Sequence, residues 1–265
     1  MKKTLSILFL TILALFLYAC SSESVVNTWA EIEERGYFVV GLDDTFAPMG
    51  FRDSDGELVG FDVDLAKEVA TRLGVEVKFQ SIDWDAKVLE LNAGTIDMIW
   101  NGLTITESRL EEMSFSNPYL ANRQIIMVAS DSTLTTKSEL AGKTVGVQIT
   151  SASDDAVTAD DLYDDLGGYE RYDTFNLALV ELSNGTIDAV VIDEIMGRYI
   201  MSQNPDQYKV INGDFGDEEY GIGFRLESTD IRDQFNQVLS DMIEDGTAAT
   251  ISIKWFDEDI FLRYE

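Results

Sequence analysis

Leu91-Asn92-Ala93-Gly94-Thr95-Ile96-Asp97 returns further along the chain as Leu182-Ser183-Asn184-Gly185-Thr186-Ile187-Asp188. Each copy reads as the last turn of a helix, a glycine stop and the entry to a strand, because glycine accepts the left-handed backbone that ends a helix. Working outward from the first copy, Tyr37 to Leu42 is a short run of strand formers. Asp62 to Leu73 carries apolar residues at Val63, Leu65, Ala66, Val69, Ala70 and Leu73 and stops at Gly74, which predicts a helix with one buried face. Val75 to Phe79 alternates as a strand, Ala86 to Leu91 continues as a helix, and Ile96 to Ile99 enters the sheet. Around the second copy, Thr144 to Gln148 reads as a strand, Ala152 to Leu166 as a helix and Ile187 to Ile192 as a buried strand. Ile231 to Ile243 and Ala248 to Phe256 add two apolar-faced helices. Strands alternating with helices define an α/β protein, and the echo makes it two related domains, each a mostly parallel sheet flanked by helices.

Composition removes several functions. The chain has no histidine, so it offers no histidine base and no histidine-ligated metal. Its 49 acidic against 19 basic residues argue against nucleic acid and against broad contact with an anionic membrane. No cofactor or metal is expected. Asp53-Ser54-Asp55-Gly56-Glu57 has Leu58 where a calcium loop needs its sixth-position glycine, and it reads as a hairpin turn between Phe51 and Val59.

The N-terminus reads as a processing signal over residues 1–19, with Lys2 and Lys3 ahead of an apolar stretch from Leu5 to Ala19 that is short for a membrane span. Leu17-Tyr18-Ala19-Cys20 resembles a bacterial lipobox, and Cys20 is the single cysteine. That resemblance implies a lipoprotein whose Cys20 carries acyl chains such as palmitate, each buried CH₂ holding it by about 0.8 kcal/mol. Residues 20–29 then form the lipidated tether.

Four segments would meet if both domains turn their strand ends to one cleft, since open α/β sheets bind ligands beyond the carboxyl ends of their strands. Asp43-Asp44-Thr45-Phe46 follows a strand and offers either a polar turn with a packed ring or a cleft carboxylate beside an apolar wall. Asp83-Trp84 begins a helix, and Trp84 serves equally as a core residue or as a second wall. Trp100 to Arg109 contains Gly102, where backbone can approach closely, the Thr104 hydroxyl, and Arg109, a surface residue or a fork for a carboxylate. Gln148 to Ser153, with Thr150 and Ser151, sits between a strand and a helix and supplies an ordinary cap or an anion site. Asp193 closes the run Val190-Val191-Ile192 and is placed to meet an ammonium.

Gly60-Phe61-Asp62-Val63-Asp64-Leu65-Ala66, Thr104-Ile105-Thr106-Glu107-Ser108-Arg109, Phe115-Ser116-Asn117-Pro118-Tyr119 and Ile187 to Glu194 together resemble the extracellular solute-binding proteins of polar amino acid ABC transporters. The resemblance covers nearly all of the mature chain. It implies the two-lobed periplasmic-binding-protein fold of type II, with lobe 1 at 30–122 plus 218–265, lobe 2 at 123–217, and two hinge strands near Gln124 to Val128 and Gly216 to Gly223. It implies a monomer without enzymatic activity that captures a free amino acid, polar or basic by preference, and passes it to the transmembrane subunits of an ABC permease. Its place would be the outer face of a Gram-positive-like cytoplasmic membrane, or the periplasm where there are two membranes. Carried over residue by residue, Arg109 pairs with the ligand carboxylate with help from Thr150 and Ser151. Asp193, Thr104 and the Gly102 carbonyl hold the ammonium. Phe46 and Trp84 flank the side chain, and Asp43 lies at its far end. Asn101 stands where a small hydroxyl residue is common. A surface sensor or adhesin, or a dehydratase-like enzyme on the same scaffold, are the alternatives.

Overall fold

The computed structural model describes residues 28–263, so the signal sequence and Cys20 lie outside the described residues. Helix α1 (Trp29–Arg35) opens with a reciprocal cap between Thr28 and Glu31 and stops at Gly36, whose φ is 77°. Strand β1 (Tyr37–Leu42) follows. The short strands β2 (Thr45–Phe46), β3 (Gly50–Arg52) and β4 (Leu58–Val59) form a small sheet of their own, with Phe51 opposite Val59 across the expected turn. Helix α2 (Phe61–Leu73) buries Phe61, Val63, Leu65, Ala66, Val69 and Ala70 and ends at Gly74. Its N-cap, Gly60, has φ 148°, and a Cβ there would lie 2.2 Å from the Met49 carbonyl oxygen, so a side chain cannot be accommodated.

Strand β5 (Glu76–Ser81), a 3-10 turn at Trp84–Ala86, helix α3 (Lys87–Ala93) and strand β6 (Met98–Thr104) continue the alternation. Helix α4 (Glu107–Glu112) is capped by Thr106, and strand β7 (Ser114–Phe115) leads to β8 (Leu120–Ala129). The second lobe comprises β9 (Thr144–Gln148), α5 (Ala152–Ala159), β10 (Gly168–Tyr172), α6 (Phe175–Ser183), β11 (Ala189–Asp193) and α7 (Glu194–Gln203). Strand β12 (Tyr208–Phe224) returns to the first lobe, where α8 (Thr229–Glu244) and α9 (Thr247–Phe256) pack on each other and on α2.

The main sheet runs β10-β9-β11-β8-β12-β6-β1-β5, with β7 on β12. β1 is parallel to β5 and β6, and β9 is parallel to β10 and β11. The two parallel blocks are joined by the antiparallel pair β8 and β12, the hinge strands. β12 meets β8 at Tyr208 to Val210 and again at Asp217 to Tyr220, with register shifts between, and its end pairs with β6. Buried Phe38, Val40, Leu65 and Phe235 fill one core, and Val145, Val147, Val157 and Val191 fill another.

Some predicted boundaries differ. The helix expected from Ala152 to Leu166 stops at Ala159, because Asp160 turns to extended backbone and its carboxylate accepts from the Leu162 N–H at 3.0 Å; a 3-10 turn, Asp161–Asp165, follows. A run of aspartates at a helix C-terminus opposes the helix dipole and competes for backbone donors, which is why periodicity over-extended the helix. The strands expected from Ile96 and Ile187 begin two residues later, at Met98 and Ala189, because the intervening residues form the shared loop.

Candidate functional site

The carboxyl ends of β1, β6, β9 and β11 face one another across the gap between the lobes. A narrow, nearly filled cavity of about 10 Å³ lies there, and seven of the nine expected ligand-binding residues line it: Phe46, Trp84, Gly102, Thr104, Arg109, Ser151 and Asp193. Gln148, Ala152 and Phe175 complete the lining. The Phe175 ring, at the start of α6, stands 6.0 Å from that of Phe46, so the aromatic clamp draws on both lobes.

Arg109 is held by the short helix α4, whose cap Thr106 accepts from the Arg109 N–H at 3.2 Å. Its guanidinium donates to the Thr104 carbonyl at 2.8 Å and to the Thr150 carbonyl at 3.3 Å, crossing from one lobe to the other. Thr150 lies behind the cavity wall rather than on it. Its φ of 52° is a left-handed conformation that a β-branched residue resists, and it aims the carbonyl back at the first lobe. Its N–H is taken by Asp154 at 3.0 Å. Ser151 caps α5 by accepting from the Asp154 N–H at 3.2 Å.

Asp193 is buried at the end of β11 and accepts from Tyr220 Oη at 2.7 Å, Asn122 Nδ2 at 2.8 Å and Gln124 Nε2 at 3.1 Å. Burial raises its pKa, while hydrogen bonds, first among them that from Tyr220, pull it back. Thr104 donates its hydroxyl to Glu218 at 2.9 Å. Asp43 does not touch the small cavity. It accepts from Gln148 Nε2 at 2.8 Å across the cleft, and its backbone N–H reaches Asn101 Oδ1 at 3.1 Å, so Asn101 braces that turn. Beyond it a second, wider space of about 250 Å³ shares Trp84 with the cavity and is walled by Asp43, Asp44, Asp83, Asp85 and Asp173.

Three charged residues escaped the sequence reading. Lys87 at the start of α3 is buried and donates to the carbonyls of Trp84 at 3.0 Å and Thr150 at 2.9 Å. Burial first, and then the neighbouring Arg109, lowers its pKa to about 7. Its place three residues after Trp84 and four before Leu91 puts it on the buried face, the one local cue the sequence carries for it. Asp62 on α2 accepts from the Gly102 N–H at 2.7 Å and Tyr119 Oη at 2.9 Å, and burial pushes its pKa up to about 7. It thereby fixes Gly102, at φ 57°, where a Cβ would come within 2.9 Å of the Phe46 ring. Glu218 on β12 is the third, and nothing in its acidic surroundings Asp217-Glu218-Glu219 marked it.

A two-lobed cleft receptor with opposite charges facing one small cavity is the class this geometry defines. The sequence matches the model of the bacterial extracellular solute-binding proteins, family 3, over residues 38–258, and the chain belongs to that family. It is similar to an ABC uptake transporter substrate-binding protein from Streptococcus pneumoniae solved with bound histidine, at 36% identity and a TM-score of 0.86, covering 89% of this chain and 98% of that one. The arginine-bound form of a truncated ArgBP from T. maritima is 42% identical with a TM-score of 0.75, covering 80% of this chain and 99% of that one. The L-cystine-binding protein of Escherichia coli (strain K12) is 29% identical over 91% of this chain and 89% of its own. The family's own motifs now have physical roles: Asp62 holds the Gly102 N–H of β6, Thr106 caps the helix that carries Arg109, and Ser116 exchanges hydrogen bonds with Ile222, at 2.9 Å each, to tie β12 down. No helix among the described residues is long and apolar enough to cross a membrane.

Proposed function

We propose that the protein captures a free amino acid in the cavity between its lobes and delivers it to an ABC importer, without catalysing a reaction. The observation that carries this is a guanidinium and a carboxylate, Arg109 and Asp193, buried on the walls of one cavity. A zwitterion stripped of water needs a matched partner at each end, or desolvation cancels the attraction. Arg109 takes the α-carboxylate beside the capped N-terminus at Ser151, with Thr150 holding Arg109 in place. Asp193, Thr104 and the Gly102 carbonyl take the α-ammonium. Phe46 and Trp84, with Phe175, sandwich the side chain. The acidic chamber beyond, with Asp43 at its entrance, favours a cationic far end, as in arginine, lysine or ornithine. Arginine bound to the T. maritima relative is in keeping with that choice.

Closure proceeds about β8 and β12, with residues 30–122 and 218–265 moving against 123–217, a hinge motion that seals the ligand from water. Lipidation at Cys20 holds the receptor beside the permease, at the outer face of the membrane. Calorimetry of the unfolded, washed and refolded protein against the common amino acids, ornithine and cystine tests the reading. We expect one-to-one binding with a basic amino acid, and Arg109→Met losing about 2–5 kcal/mol of it. Silence across the panel, or full affinity in Arg109→Met, overturns it.

A further inference from the structure

Half-buried Glu218 and buried Asp193 form a pair of carboxylates at the hinge. Asn122 lies opposite Glu218 on the hinge strands, and Gln124 lies opposite Asp193. Two residues apart on β8, the two amides face the same way. The Asn122 amide donates to Asp193 at 2.8 Å and also to Glu218, and the Gln124 amide donates to Glu218 at 2.8 Å and to Asp193 at 3.1 Å. Each amide nitrogen has two hydrogens, so both are spent on the two carboxylates. Tyr220 adds a donor to Asp193 and Thr104 one to Glu218. The cation facing the pair across the cavity is Arg109, yet its guanidinium donates to the carbonyls of Thr104 and Thr150. Asp155 and Glu112 also act on Arg109 through their charge, and Arg123 is paired with Glu194 at 2.6 Å. Lys87 is engaged with Trp84 and Thr150.

Two like charges in one buried site do not both ionise without a counter-charge. We propose that Glu218 is a positioning residue of the ammonium subsite: with Asp193 it shares a proton that the ligand's α-ammonium displaces, so that amino acid capture releases a proton. The proposal rests on the amino acid reading above. The O–H bond of the shared proton breaks to solvent, and the incoming –NH₃⁺ supplies the positive charge in its place. The Thr104 hydroxyl serves the same end. Because its hydrogen points to Glu218, its lone pairs remain free to accept from an ammonium. Glu218 itself is pushed up to about 8 by burial first and by Asp193 second, which places the exchange in the neutral range.

Proton release makes affinity for L-arginine fall as the pH drops from about 9 to 6, by up to about tenfold per pH unit. Lys87 opposes it, since a bound carboxylate nearby promotes proton uptake there. The test is therefore a difference: titrate L-arginine, or L-glutamine if that gives no heat, into wild type and Glu218→Gln in phosphate and in Tris. Glutamine keeps the acceptor for Thr104, Asn122 and Gln124 and removes the shared proton. We expect net release in wild type and a shift towards uptake in the variant. An equal proton count in both overturns the proposal while leaving amino acid binding intact; no heat with any amino acid removes both. Difference infrared spectroscopy of wild type needs no variant: adding L-arginine should bleach a protonated-carboxyl band, and an unchanged spectrum counts against the shared proton.

Discussion

The two lobes are built around the same loop and stabilised differently. In the first, Asp97 accepts from the Val39 N–H at 2.7 Å and its own N–H returns to the Val39 carbonyl at 2.8 Å. In the second, Asp188 does the same with Thr144, at 2.8 and 2.9 Å. The glycine of the neighbouring strand matches too: a Cβ on Gly41 would strike Ile96 Cδ1 at 2.4 Å, and one on Gly146 would strike Ile187 Cδ1 at 2.5 Å. The environment differs. Asp97 is buried between Arg35 and a buried Arg225, whereas Asp188 is 41% exposed with Lys143 at 3.6 Å. The first lobe recruits α1 and the stretch after β12 to enclose its copy, and that enclosure turns a backbone clip into a buried ion pair. The repeated sequence therefore encodes the clip, and the surrounding chain sets what the clip is worth.

The largest expected contrast follows. Asp97→Ala leaves Arg225 buried without its carboxylate and should cost about 3–5 kcal/mol. Asp188→Ala removes a hydrogen-bond acceptor at the surface and should cost about 0.5–1.5 kcal/mol. Urea unfolding of both variants measures the gap, and equal costs would show that enclosure by the first lobe adds nothing.

The same division explains what was legible in the sequence. Periodicity marked α2, α8 and the strands because their apolar faces are set by local spacing, and glycine stops marked the loops. Phe46, Gly102, Thr104 and Asp193 were legible because they sit at the carboxyl-terminal parts of strands, where a cleft must form, and Arg109 because it lies on the helix that follows β6. Lys87, Asp62 and Glu218 were not, since a buried charge depends on partners such as Thr150, Tyr119 and Asn122 that lie far away in sequence. Phe175 looked like any helix-start aromatic until the other lobe brought Phe46 to it.

A smaller effect tests whether the clip is shared. Gly41→Ala and Gly146→Ala each drive a methyl group into an isoleucine and should each cost about 1–3 kcal/mol. Removing the offending Cδ1 with Ile96→Val or Ile187→Val should recover part of that, so each double variant is more stable than the sum of its parts. Recovery in one lobe only would mean that the two glycines, though placed alike, answer to different neighbours: Ile82 at Gly41, Tyr172 at Gly146.

The last contrast is read as a slope. By the offset that relates the two loops, Gly102 and Asp193 are equivalent positions, and only the first is anchored by a buried carboxyl from a neighbouring helix, Asp62. The Asp62 pKa rises from 3.8 to about 7 because burial disfavours the charged form. Between those values the folded chain holds a proton that the unfolded chain has lost, so stability falls as pH rises and levels off above about 7. Asp62→Asn keeps an acceptor for the Gly102 N–H and has nothing to titrate. Its urea midpoint should therefore change less than that of wild type between pH 5 and 8. The slope that remains belongs to Asp193 and Glu218, whose pKa values are also raised by burial, offset above about pH 7 by Lys87, whose lowered pKa contributes with the opposite sign. A variant as steep as wild type would assign the whole dependence to that hinge pair and leave Asp62 ionised throughout.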